Sequence, residues 1–293
     1  MTTHAIEEAT SERDGVLVGP LRTPRNLAAT QRGSIHDDAT AQRLGFRGGT
    51  VAGSIHMEQF PPLLVAAFGP RWFETGSLST YFRNATTDGE PVRAFVRKPR
   101  GDADEQVDVW MEREDGTLVL EGTASVGAPV APSMLRRKLA EPREAGEQRM
   151  LGHLAPGQRI PAVGVRLTER EAAPRLAAIT EPMDWYTGAS PWGAPVVNPG
   201  LVVHMMVQAQ PGMDLGRARA VGLYGAIEVR HIAGPVFAER DYEVDGVIHA
   251  VGQTPKTEYV WFETTLREPG GRDVAAMLMM LRFMKASSPL WRE

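Results

Sequence analysis

The feature that most constrains the fold of this chain is a pattern that occurs in it twice. Each half opens on helix-forming signals and closes on a run of strands. In the first half "LRTPRNLAAT" places Thr23 to cap a helix beginning at Pro24. In the second, "RLTEREAAPRLAAIT" puts Thr168 and Glu171 at capping-box spacing. Each half then reaches a glycine-bearing turn and a long helix, "GGTVAGSIHMEQF" and "PVVNPGLVVHMMVQAQ". His56 and His204 stand at similar offsets after Gly53 and Gly200.

The strands follow. In "QVDVWMERED", Val107, Val109 and Met111 alternate with Asp108, Trp110 and Glu112, a period of two that buries one face. Asp115-Gly116 is a hairpin dipeptide leading into "TLVLEGTASVG". The second half answers with "AIEVRHIAG", "RDYEVDGVIHAVG", "EYVWFETTLRE" and "DVAAMLMMLRFMKA", the last two joined by the turn "REPGGRD". "YFRN" at Tyr81 has its counterpart in "EVRH" at Glu228. The reading is an α+β protein with internal duplication, each repeat an antiparallel sheet against one long helix. The repeats are expected over residues 15–128 and 161–288. Residues 129–160, rich in Pro, Gly and charge, form the linker, and Arg136, Arg137 and Lys138 lie on its solvated face. The polar, acidic stretch 1–14 lacks the features of a signal peptide and is expected to be a disordered tail.

Composition removes several functions. A net charge of −4 and a pI near 6.0 do not give the basic face that nucleic acid requires. With no cysteine, disulfides, thiolate nucleophiles and Cys-bound zinc are excluded, and a reducing, cytoplasmic setting fits. No apolar run approaches the roughly 20 residues of a membrane span. "GFRGGTVAG" lacks the Lys-Ser/Thr of a phosphate loop, "GASPWG" is not a nucleophile elbow around Ser190, and no metal-ligand spacing is present. No metal or cofactor is expected.

Chemistry concentrates in "GSIHDDATAQRLGFRGGTVAGSIH", residues 33–56. His36 stands in a loop ahead of the glycine turn, and an imidazole with a pKa near 6.5 can both remove and return a proton. Asp37 and Asp38 open a short helix; Asp38 is the expected cap, while Asp37 is placed to orient His36 or face solvent. His56 is read first as a core residue and second as a substrate contact, and His204 and His231 as structural histidines with hydrogen-bonded rings.

This stretch resembles the hydratase motif of the MaoC-like enoyl-CoA hydratases and dehydratases. The resemblance places the family's catalytic His on His36, its Phe on Phe46 and its closing Gly on Gly53. It implies a double hot-dog fold over roughly residues 15–290, an acyl substrate on CoA or a carrier protein, and a pseudo-dimer within one chain that could pair again as a homodimer. It also implies that backbone N–H groups at the Gly53 helix start polarise a thioester carbonyl. The chain departs from the motif where the family's catalytic Asp is Gln31, its Asn is Gly33, its Pro is Ser34 and the His before its closing Gly is Ala52. An amide can hold a water but cannot take its proton. Glu58, beyond Gly53 on the same helix, is the carboxylate available to replace that base. The expected function is a hydratase or dehydratase with His36 as acid/base, Gln31 and Asp37 assisting, and Gly53, Gly33, His56 and Phe46 contacting substrate. The alternatives are a cyclase or isomerase on the same scaffold, or a non-catalytic acyl-binding subunit.

Overall fold

The computed structural model describes residues 10–101, 104–141, 146–188 and 190–291. The first repeat comprises strands β1 (Ser11–Arg13) and β2 (Val16–Val18), helices α1 (Asp38–Arg43), α2 (Gly53–Met57), α3 (Pro61–Phe68) and α4 (Trp72–Thr75), and strands β3 (Gly76–Phe82), β4 (Val92–Arg97), β5 (Val107–Arg113) and β6 (Leu118–Val126). Helix α5 (Met134–Ala140) follows. The second repeat has β7 (Arg159–Arg166), α6 (Glu169–Ala178), α7 (Pro199–Met206), β8 (Gly222–His231), β9 (Asp241–Gln253), β10 (Thr257–Arg267) and β11 (Asp273–Met284).

All the strands join one antiparallel sheet in the order β1-β2-β4-β5-β6-β3-β8-β11-β10-β9-β7. Read outward from the β3–β8 seam, β3-β6-β5-β4-β2 on one side matches β8-β11-β10-β9-β7 on the other, which is the duplication seen in the sequence, and β1 is an added edge strand without a counterpart among the described residues. At the seam Ser79 lies opposite Glu228 and Tyr81 opposite Ala226, so the strands that carry the two counterpart segments are direct neighbours. Alternation delivers the core: Val107, Val109 and Met111 are buried along β5, and the methionine-rich β11 is buried along most of its length. Each such side chain removed from water contributes about 1.5–3 kcal/mol.

The helices correct the expected long ones. After α2 the chain restarts at Pro61-Pro62, and proline lacks the N–H that would continue the ladder, so α2 and α3 are separate segments. In the second repeat α7 gives way to a 3₁₀ segment, Val207–Met213, that contains Pro211. No helix forms at Pro24. Asp88 claims that segment instead, accepting from Asn26 N–H at 2.7 Å and from Arg25 Nε at 2.9 Å. The capping box of Thr168 and Glu171 on α6 forms as expected.

Two margins also differ. Part of the expected tail is ordered as β1, which turns into β2 through Asp14 and Gly15, both at positive φ (50° and 73°); residues 1–9 lie outside the described residues. The linker carries α5, capped by Ser133, and Arg136 is not simply solvated. It is ion-paired with Glu263 and lies 3.4 Å from Glu228, a β8 carboxylate that is itself buried. Among the described residues, no helix is long and apolar enough to cross a membrane.

Candidate active site

The pose of His36 is set by the glycines and polar groups around its loop. Asn26 Nδ2 donates to the His36 carbonyl at 2.8 Å, and Thr50 N–H donates to the Ile35 carbonyl at 2.9 Å. Gly49 passes so near that a Cβ there would lie 2.3 Å from the His36 carbonyl oxygen, which accounts for the glycine directly before Thr50. The imidazole Nδ1 is 2.7 Å from the Thr50 carbonyl oxygen. A carbonyl only accepts, so Nδ1 carries the proton and Nε2 is the basic nitrogen.

The neighbouring carboxylates hold this loop together. Asp37, not Asp38, caps α1: it accepts from Thr40 Oγ1 (2.6 Å), Gly33 N–H (3.2 Å) and Ala39 N–H (3.3 Å). Those bonds, the Thr40 hydroxyl foremost, hold its carboxyl below the usual range. Asp38 accepts from the Gly49 N–H at 2.6 Å. Gly33 serves the turn, at φ +80°. Asp37 was expected beside the reacting atoms and Gly33 beside substrate, yet neither lines the cavity that His36 faces.

That cavity, of about 460 Å³, lies between the repeats. Gln31, His36, Phe46, Gly53 and His56 line it from the first repeat, so the other sequence candidates are brought together. Gln210, Tyr224 and Arg282 line it from the second. These last were not anticipated. Strand pairing, not local pattern, carries Tyr224 on β8 and Arg282 on β11 to the site. The one available signal was a single charge inside the apolar run "AAMLMMLRFM". Arg282 Nη2 donates to the Tyr81 hydroxyl at 2.6 Å. Among the described lining residues there is no Asp or Glu.

Helix α2 begins at the cavity with Gly53, and its first N–H groups have no partner within the helix. A Cβ on Gly53 would meet the Phe82 ring at 2.4 Å, so the glycine makes room for an aromatic wall as well as exposing backbone. His56, one turn on, is buried, with Nε2 2.8 Å from Thr86 Oγ1 and Nδ1 unpartnered among the described residues. Burial pushes its pKa down to about 4, so the ring is neutral near pH 7. It is therefore both a core residue and a cavity wall.

Glu58 does not take the place of the missing base. It is buried at the far end of α2 with Arg175 Nε 2.5 Å away, and it does not line the cavity. Burial raises its carboxyl to about 7 against the pull of Arg175. His204 is exposed. His231 is buried between the Trp72 and Phe73 rings, 5.4 and 6.0 Å away, and both ring nitrogens lack partners among the described residues. The hydrogen-bonded ring expected there is not found.

No protein-family model matches the chain, and no curated protein matches it. Solved structures do. A protein from Chloroflexus aurantiacus, described as a MaoC-domain dehydratase, superposes with a TM-score of 0.62 at 15% identity, over 97% of this chain and 98% of that one. A Mycobacterium tuberculosis protein described as having a double hot-dog fold, and as essential for survival during infection, gives 0.60 at 14%, over 93% and 97%. The dehydratase domain of PpsC from Mycobacterium tuberculosis, in complex with C12:1-CoA, gives 0.50 at 12%, over 94% and 96%. Matching strand order on both sides of one seam and full-length superposition lead to the same conclusion: the chain is a double hot-dog protein, with MaoC-like dehydratases among its structural neighbours.

Proposed function

We propose that the protein is a hydro-lyase of hydratase or dehydratase type, acting on an acyl thioester carried by CoA or a carrier protein. The observation that carries this reading is that His36 and the start of α2 line one cavity. A thioester carbonyl set against the N–H groups at Gly53 would have its developing negative charge stabilised by unpaired donors. In the dehydration direction, His36 Nε2 takes the proton from the carbon next to the carbonyl. The electron pair left there forms the new double bond as the β-hydroxyl departs, and that hydroxyl takes the proton back from His36 as water. Hydration runs the same steps in reverse. The Thr50 carbonyl, 2.7 Å from Nδ1, stabilises the transient imidazolium. Gln31 holds the water or hydroxyl through its amide, and the neutral His56 ring contributes a hydrogen bond to the substrate. Such an elimination needs no redox partner. A dehydratase domain of the same fold was captured with an acyl-CoA, which supports the thioester class.

The absence of a carboxylate among the described lining residues favours one second reading, a single-base isomerisation or cyclisation on the same scaffold. The products separate the two. Purified protein incubated with crotonyl-CoA, or with 3-hydroxybutyryl-CoA, is expected to interconvert them, read as loss or gain of enoyl absorbance with the products confirmed by mass. Inertness toward both, on CoA and on a carrier protein, would overturn the hydro-lyase reading.

A further inference from the structure

Strand β8 carries a one-residue bulge near its start. Ala226 pairs with Met280 of β11, yet the next residue of β11, Leu281, pairs with Tyr224, so Gly225 is left over. Side chains two apart on a regular strand share a face. Ala226 lies on the outer face of the sheet, in the apolar cluster that Leu135 of α5 covers. On a regular strand Tyr224 would follow it there. The extra residue turns Tyr224 to the inner face instead, where its ring packs on the core and lines the cavity that His36 lines. Gly225 is needed for this: a Cβ on it would lie 2.5 Å from Met280 Cε and 2.7 Å from Arg282 Nε.

The Tyr224 hydroxyl is an unused donor on that wall. The side chain is part-buried, and its oxygen has no hydrogen-bond partner among the described residues. Nor is that oxygen one of the polar atoms sealed inside the protein, so the space it opens into is the cavity its ring lines. Burial raises the phenol above its ordinary range against the pull of Arg175, so it keeps its proton near pH 7.

The elimination proposed above leaves one atom short of partners. The Gly53 N–H groups take the thioester carbonyl and His36 takes the proton. The departing β-oxygen has only the Gln31 amide, and no carboxylate stands among the described lining residues. Of the polar side chains that the second repeat brings to the cavity, Arg282 already donates to the Tyr81 hydroxyl and Gln210 to Met279 Sδ. Tyr224 is the one with its donor unspent.

We infer that Tyr224 is a catalytic residue of the hydro-lyase reaction, an assignment that rests on that reading: its hydroxyl donates a hydrogen bond to the β-oxygen. The bond stabilises negative charge on that oxygen as the C–O bond breaks. Tyr224 keeps its own proton; the oxygen receives one from His36 and leaves as water. In hydration the same bond orients the attacking water.

The test compares two leaving groups in the full chain, using 3-hydroxybutyryl-CoA and 3-chlorobutyryl-CoA, with enoyl absorbance as the readout. Both lose the α-proton to His36, but chloride departs without a donor. Tyr224→Phe keeps the ring and its packing, so its melting temperature is expected to match wild type. Its kcat for the hydroxy substrate is expected to fall about 10- to 100-fold, the loss of one hydrogen bond to a developing charge. Its kcat for the chloro substrate is expected to stay within about twofold of wild type, while His36→Ala lowers both. An unchanged rate on the hydroxy substrate in Tyr224→Phe, with active wild type, would overturn the assignment and leave the hydro-lyase reading standing. Equal falls on both substrates would also overturn it, because a merely structural role does not distinguish leaving groups. Wild type inert toward the hydroxy substrate and toward crotonyl-CoA would overturn the reading itself, and the assignment with it.

Discussion

Arg175 of the second repeat and Glu58 of the first form a buried ion pair across the two halves, with Nε and Oε1 2.5 Å apart. The same guanidinium donates to Ser54 Oγ at 3.1 Å, so one arginine on α6 holds both ends of α2. Gly200 permits the approach: a Cβ on it would lie 2.3 Å from both Arg175 Nη2 and Glu58 Oε1. Arg175→Ala leaves a carboxyl buried without its partner and is expected to cost about 3–5 kcal/mol. Glu58→Leu combined with Arg175→Met replaces the pair with apolar volume and is expected to recover most of that loss. Urea denaturation of the two variants measures the difference.

Gly53 and Phe82 form a second interlocked pair. Gly53→Ala pushes a methyl into the Phe82 ring, so it is expected to destabilise by about 1–3 kcal/mol through overpacking and to disturb the helix start at the cavity. Phe82→Ala in the same chain removes the clash, and the double variant is expected to lose less than the sum of the two single changes. A double-mutant cycle on unfolding free energy checks this; strict additivity would show that the ring and the glycine do not meet.

Two buried histidines make the protein sensitive to acid. His56 and His231 both have pKa values lowered to about 4 by burial, against an ordinary value near 6.5. Below about pH 6.5 the unfolded chain takes up protons that the folded one refuses, so stability is full above that value and falls as pH drops toward 4. The loss is on the order of 3 kcal/mol per histidine. His231→Phe suits an aromatic site and removes one share. It is expected to leave stability at pH 7 near or above wild type and to flatten the decline between pH 6.5 and 4. A wild-type slope in that variant would contradict the assignment.

Gln31 occupies the position where the resemblance places a carboxylate base. Gln31→Asp restores a group that can accept a proton and is expected to raise enoyl-thioester hydration, whereas Gln31→Ala lowers it by removing the amide that holds water. Comparing kcat for the three proteins decides; equal rates would separate Gln31 from the chemistry.

Much of this architecture was legible because strand signals are local. Val107, Val109 and Met111 alternate within a few residues, and the apolar run of β11 is continuous. What depended on distant groups was not legible. Thr23 and Pro24 carry helix-start chemistry, but Asp88 binds that segment from across the fold. Asp37 and Asp38 are equivalent as caps until Gly49 N–H claims Asp38. The cavity's first wall was readable because Gln31, His36, Phe46, Gly53 and His56 lie in one stretch of chain. Its second wall, Tyr224 and Arg282, exists only through the pairing of β3 with β8 and of β8 with β11. The Glu58–Arg175 pair was hidden for the same reason.

The most direct measurement is kcat/KM for an enoyl thioester with wild-type protein and with His36→Ala, alongside thermal unfolding of both. A partly buried imidazole whose ring is held by a bond to a backbone carbonyl can be removed without unfolding the chain, so the melting temperature is expected to stay close to wild type. The rate is expected to fall by about 10²- to 10⁴-fold, the contribution of a positioned general acid/base. A folded His36→Ala protein that retains the wild-type rate would contradict the central claim.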